Sequence, residues 1–173
     1  MNSYLAIGGA VITALIAAPY VLPSSKTVER TATIAAPAEE VYPLLASSKG
    51  FQTFNPYKAK DPNLNIVFSG PQEGVGASFA FDGKDGKGTQ TIIAMEENRS
   101  VTMEIDLGPM GKPVTTFTLE PKGDATAVTW STKSDFGMNP IGRVFGLFLD
   151  GMLGSDYEQG LALLDQAARN KQA

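Results

Sequence analysis

Between Asn65 and Ser134 apolar residues recur at every second position, and beyond Pro140 they recur at every third or fourth. This change of period constrains the fold more than any other feature, because alternation marks half-buried strands and the longer period marks an amphipathic helix. Val101, Met103, Ile105 and Leu107 alternate with Thr102, Glu104 and Asp106, a pattern of one buried and one wet face. Phe79 and Phe81, then Thr115, Phe117 and Leu119, then Val128 and Trp130 repeat it. Turn chemistry separates the runs at Gly70–Gly74, at Asp82–Gly86, at Glu97-Asn98, at Gly108–Gly111 and at Lys122-Gly123-Asp124. Six consecutive antiparallel strands follow.

An earlier strand spans Val28–Ile34. Pro37, with Glu39 and Glu40 behind it, opens a short helix through Val41, Leu44 and Leu45. A second short helix or turn holds Phe51 and Phe54. At the far end, Asn139 caps a long helix with Pro140 in its first turn, and its five glycines predict a break near Gly151–Gly154. Strands in a run with helices at either side give the α+β class. One helix cannot fill a strongly curved sheet of this width, so an apolar ligand cavity is expected between them. The inward strand phase supplies Phe79, Phe81, Ile93, Met95, Met103, Ile105, Phe117 and Trp130. The helix adds Phe145, Phe148, Leu149 and Met152. For any one of these residues a place in a packed core is the favoured reading, and only the curvature argues for a void.

The chain has 173 residues, and its first charged side chain is Lys26. Tyr4–Leu22 is apolar and, as a helix, would span roughly 28 Å, close to a hydrocarbon core of about 30 Å. A transmembrane anchor over residues 1–23 is therefore expected, with a linker at 24–27 and a globular domain at 28–171. A cleaved signal peptide is disfavoured because the opening residues Met1–Tyr4 carry no Lys or Arg. The anchor implies a single-pass cell-membrane protein. Lys26 and Arg30 vote for a cytoplasmic domain, and the side stays open.

There is no cysteine and no histidine. Disulfides, thiolate or imidazole metal sites, Cys nucleophiles and Ser-His-Asp arrangements are thereby excluded. No metal and no cofactor is expected. A net charge of −4 without any Lys/Arg run argues against nucleic acid as a partner. The glycines of Gly70–Gly76 precede neither a Lys-Ser/Thr pair nor a helix, so they read as a turn and not a phosphate cradle. Acid–base chemistry is left to Asp61, Asp106, Asp135, Asp150 and Glu158, each placed by its pattern on a wet strand face or a helix end. Arg143 and Asp150 lie two turns apart and could orient a polar group at a cavity mouth. Tyr42 and Tyr57 could offer it a hydroxyl.

Val28–Tyr42 (VERTATIAAPAEEVY) resembles the opening strand and helix of the START-like superfamily, the SRPBCC proteins, in its polyketide cyclase/dehydrase and lipid-transport branch. Asp61-Pro62, Gly70–Ala77, Ala127–Trp130, Met138–Arg143 and Gly154–Leu161 fit the same pattern in order, nearly the whole chain after residue 26. The resemblance implies a helix-grip fold, a curved antiparallel sheet wrapped around the C-terminal helix with a hydrophobic tunnel between. Similar members often carry tryptophan in the second-helix region, where this chain has Phe51, Phe54 and Tyr57.

The expected function is a membrane-anchored, monomeric binding protein for a hydrophobic small molecule or lipid, with no residue assigned to catalysis. The alternative is a polyketide cyclase/dehydratase-like enzyme using carboxylates or tyrosine in the same cavity. A protein-binding, co-chaperone-like role would need an exposed groove.

Overall fold

A computed structural model describes residues 18–172. Strand β1 (Ser25–Ile34) is followed by three short helices, α1 (Ala38–Leu45), α2 (Ser48–Phe51) and α3 (Pro56–Lys60). Six strands come next: β2 (Asn65–Ser69), β3 (Ser78–Gly83), β4 (Gly86–Glu96), β5 (Ser100–Asp106), β6 (Val114–Lys122) and β7 (Ala125–Asp135). Helices α4 (Pro140–Gly146) and α5 (Leu149–Gln172) end the chain. One antiparallel sheet holds all seven strands in the order β1-β7-β6-β5-β4-β3-β2. Only the β1–β7 pairing joins strands distant in sequence. It brings the chain start against its last strand, in register from Ser25–Asp135 to Ile34–Thr126.

The alternation sets the inner face. Val28, Ile34, Phe79, Val101, Met103, Phe117, Leu119, Val128 and Trp130 are all buried there. Helix α5 covers it at the β1 and β7 side with Tyr157, Leu161, Leu164 and Ala168, one residue per turn. Helices α1 to α3 close the rest, chiefly through Val41, Leu45, Phe51 and Phe54. Helix starts follow local chemistry. Asn139 Oδ1 accepts from the backbone N–H of Ile141 and Gly142 at 3.0 and 3.1 Å, and Asn55 Oδ1 accepts from Tyr57 N at 3.0 Å.

Three expectations are corrected. The helix break falls at Leu147-Phe148, not at Gly151–Gly154, which lie inside α5. Gly142 and Gly146 pack on the Phe136 ring, where a Cβ would come within 3.1 and 2.6 Å of ring carbons, so those glycines serve close approach and do not open space.

The second correction concerns Ile93. Register slips between Ile92 and Ala94 on β4, a bulge that turns Ile92 inward opposite Met103 and leaves Ile93 exposed.

The third concerns the membrane. Among the described residues no helix is long and apolar enough to cross one. Of the expected span, Ala18–Val21 is a single 3₁₀ turn. The carbonyls of Tyr20 and Leu22 accept from the Arg143 guanidinium at 2.7 and 3.1 Å and so continue no helix. Residues 4–17 lie outside the described residues. The described residues therefore form a helix-grip domain, no transmembrane helix lies among them, and they give single-pass membrane localisation no support.

Candidate functional site

The inner face divides into rows. The deepest is aromatic: Phe117 pairs with Trp130 across β6 and β7, their rings 4.7 Å apart. Tyr157 of α5 stacks on Trp130 at 4.5 Å and 9°. Phe51 and Phe54 meet the same indole edge-on at 6.1 and 6.2 Å, and Phe51 stacks on Phe79 at 5.6 Å. Aromatic rings favour these offset and edge-to-face contacts. Gly160 admits the indole, since a Cβ there would lie 2.4 Å from Trp130 Cζ3. The Trp130 indole N–H finds no hydrogen-bond partner among the described residues.

The next row is hydroxylic. Thr115 and Thr132 share a hydrogen bond at 2.7 Å, and Tyr157 Oη donates to Thr132 Oγ1 at 2.7 Å. All three residues are buried. Burial pushes the Tyr157 phenol up to about 12, with the bond to Thr132 acting in the opposite direction. Burial also raises the Tyr57 phenol. On β4, the buried Gln90 amide donates to the Met103 thioether at 2.9 Å.

Toward the sheet end that carries the Gly83–Gly86 hairpin and the β7–α4 junction, the inner phase becomes less covered. Ile66, Phe81 and Ile105 are half-buried there, and Phe68 is exposed. From the helices, Phe145, Phe148 and Met152 are 47%, 61% and 51% exposed. At this end of the molecule, apolar side chains of both the sheet and the helices are less covered than in the core.

Of the twelve expected lining residues, Phe79, Met103, Phe117, Trp130 and Leu149 sit in the packed core. Phe81 and Met95 pack against it, and Ile105 is half-buried. Ile93 points outward, and Phe145, Phe148 and Met152 are exposed. Two concavities stand out among the described residues, and neither is walled by both sheet and α5. One, of about 490 Å³, lies against the outer-phase row Val67, Ala80, Thr89 and Asp106. The other, of about 300 Å³, lies between Leu44 and Thr53 on one side and Leu163, Gln166, Ala167 and Asn170 of α5 on the other.

The five carboxylates are engaged. Asp61 accepts from the backbone N–H of Asn63 and Lys84 at 3.1 and 2.8 Å, fixing the β3–β4 hairpin to the end of α3. Asp135 accepts from Gly137 N at 2.8 Å. Lys112 at 2.8 Å, with the Gly108 N–H, holds the Asp106 carboxyl below the usual carboxylate range. Asp150 and Glu158 bind Arg30, whose guanidinium lowers Asp150 likewise. Arg143 does not meet Asp150. It serves the backbone carbonyls of Tyr20, Leu22 and Gly137. Among the described residues no cluster of metal-ligating side chains forms.

Thr115 shares the phase of Phe117 and Leu119, whereas the alternation does not single out Gln90, Thr132 or Arg30 as inner-face groups. Of these three, Arg30 alone carried a signal, because it occupies the apolar phase Val28-Arg30-Ala32-Ile34.

Solved structures similar to this chain share its fold at low identity. A protein from Mesorhizobium loti is 21% identical with a TM-score of 0.56, over 84% of this chain and 98% of that one. Truncated norcoclaurine synthase from Thalictrum flavum is 17% identical with a TM-score of 0.60, over 82% of this chain and 92% of that one. The di-domain ARO/CYC protein StfQ of the steffimycin biosynthetic pathway is 11% identical with a TM-score of 0.62, over 86% of this chain and 52% of that one. No curated protein matches the sequence. The profile of one family, polyketide cyclase / dehydrase and lipid transport, matches residues 25–169, and with the curved sheet gripping its C-terminal helix this chain belongs to that family.

Proposed function

We propose that this chain binds an apolar small molecule or lipid at the rim formed by the open end of the inner sheet face and the start of α5. The observation that carries this reading is the uncovered apolar surface there: Phe145, Phe148 and Met152 from the helices, with Phe68 and the half-buried Ile66, Phe81 and Ile105 from the sheet. Apolar side chains left uncovered in number at one end of a fold are a candidate surface for ligand or partner contact. The hydroxyl row beneath it and the unpartnered Trp130 N–H supply the few polar groups that orient a ligand in such sites. Membership of the family supports the same class of ligand.

Binding is favoured over catalysis because the five candidate carboxylates already hold turns or ion pairs. An acid–base role would fall to Tyr157, a protonated donor at neutral pH. Native mass spectrometry of the gently purified full chain is the test. A bound apolar mass, or uptake of a fatty acid, an isoprenoid or a fluorescent lipid probe, is expected. A strictly ligand-free protein that takes up none of these would overturn the reading.

A further inference from the structure

Arg30 stands where its strand calls for an apolar residue. It pairs in register with Trp130 and shares the inward phase of β1 with Val28, Ala32 and Ile34. Its guanidinium does not end in the core. It reaches α5, where Nη1 and Nη2 donate to the two oxygens of Asp150 at 3.1 Å each and Nε donates to Glu158 Oε1 at 2.8 Å. Nη1 also donates to the carbonyl of Glu29 at 2.7 Å. Asp150, Gly154 and Glu158 recur every four residues and so stack along one helix face. A Cβ at Gly154 would lie 2.0 Å from Nη2, so the guanidinium occupies the volume that any other side chain there would need. One arginine therefore engages two turns of α5 through both charge and shape. A planar guanidinium with five fixed donors suits this bidentate grip, whereas a lysine offers a point charge.

The two halves of α5 are held differently. Leu161, Leu164 and Ala168 seat the second half in the core, while the first half, with only Leu149 and Tyr157 buried among its large apolar residues, leaves Met152 exposed beside Phe148. We propose that Arg30 is the positioning residue of the apolar rim: its grip on Asp150, Gly154 and Glu158 sets how far the start of α5 stands off the sheet, and so governs how fast an apolar ligand exchanges. This rests on the ligand-binding reading above. In this role Arg30 touches no ligand atom and acts through α5.

The consequence is unusual for an apolar ligand. Burial of an uncharged molecule is not weakened by salt, whereas partly exposed ion pairs are screened by it. Exchange of an uncharged ligand should therefore quicken as salt rises. Stopped-flow release of pyrene from the full chain, at about 20 mM and about 500 mM NaCl, reads this directly. Release from the natural sequence is expected to quicken about threefold to tenfold, the range that one or two such ion pairs span. Arg30→Met should release pyrene at the fast rate at both salts. Gly154→Ala should do the same with every charge retained, because the flexible guanidinium yields before the helix backbone. Arg30→Lys should restore part of the slow rate and its salt dependence.

Hydrogen exchange separates the clamp from the ligand. Arg30→Met should speed exchange at Leu149–Tyr157 and leave Leu161–Ala168 unchanged. Salt-independent release from the natural sequence, or uniform exchange along α5 in Arg30→Met and in Arg30→Lys, overturns the proposal. Pyrene that binds with salt-independent release leaves the ligand-binding reading standing. Failure to bind pyrene or any lipid probe, with the exchange pattern as expected, removes that reading and leaves the clamp.

Discussion

The second half of α5 meets the sheet chiefly through hydrocarbon, whereas the first half adds an ionic clamp to the contacts of Leu149 and Tyr157. Leu164 and Ala168 have no exposed surface, and Leu161 has 2%. Asp150 and Glu158 reach the same sheet only by way of Arg30. Hydrocarbon contact is insensitive to pH and salt and collapses only when atoms are removed. Ion pairs at a partly wet surface are weaker and adjustable. One helix thus joins a fixed anchor to an adjustable rim, and the rim is where apolar side chains remain uncovered.

Several substitutions probe this division, beginning at its strong end. Leu164→Ala should cost about 2–5 kcal/mol of unfolding free energy in urea titrations, because it empties a fully buried site. Pyrene affinity of the protein that remains folded should stay unchanged. Thr132→Val should cost about 1–3 kcal/mol, since it strands the buried Tyr157 hydroxyl and takes a partner from Thr115. Tyr157→Phe made in that background should recover part of the loss.

At the rim the balance reverses. Phe148→Ser should leave stability within about 0.5 kcal/mol, as exposed substitutions do. It should weaken pyrene binding by about threefold to tenfold, an effect readable by equilibrium titration. If the stability falls instead, Phe148 belongs to the core and the contrast between the halves is drawn in the wrong place.

The pH dependence gives the smallest effects. Tyr157 titrates near 10 when unfolded and near 12 when folded, so the folded state holds its proton more tightly. Stability should therefore decline as pH rises from about 10 to 12, and Tyr157→Phe should flatten that limb. Asp150 runs the other way. Its folded value is depressed, so its contribution is present at neutral pH and is lost as pH falls below the ordinary carboxylate range of about 3.9. Asp150→Asn should flatten the acid limb of the stability curve, measured by thermal unfolding from neutral to acidic pH.

Much of the architecture was legible in the residues. The alternation at Val101–Leu107 and Thr115–Leu119 marks two central strands, and Asn139-Pro140 marks where a helix begins. Period two assigns a residue to a face only while pairing is regular. At Ile92–Ala94 it is not, and Ile93 therefore faces outward where strict alternation predicts an inward side chain. The helix stripe failed for a different reason. Periodicity collects apolar residues onto one side of a helix but says nothing about whether anything lies against them. Phe145, Phe148 and Met152 share a stripe with Leu149 in the sequence, yet the turn at Leu147-Phe148 separates the two helices, and only Leu149 reaches the core. At the end of the apolar run Tyr4–Leu22, length and composition do not register that Arg143 draws on the carbonyls of Tyr20 and Leu22, and residues 4–17 lie outside the described residues. Arg30 was visible as a break in pattern, but its meaning depended on Gly154, which lies 124 residues further along the chain.

The bulge on β4 carries a last consequence. Because one surplus residue lets Ile92 and Met95 both face inward, the strand bends there, and the bend comes from an inserted residue and not from a choice of side chain. Trimming Ile93 would restore strict alternation, straighten β4 and carry one flank of its side chains through to the opposite surface. Replacing the residue by another of any kind would leave the bend in place. The course of this wall of the domain therefore depends on the number of residues in β4 and not on which side chain stands at position 93.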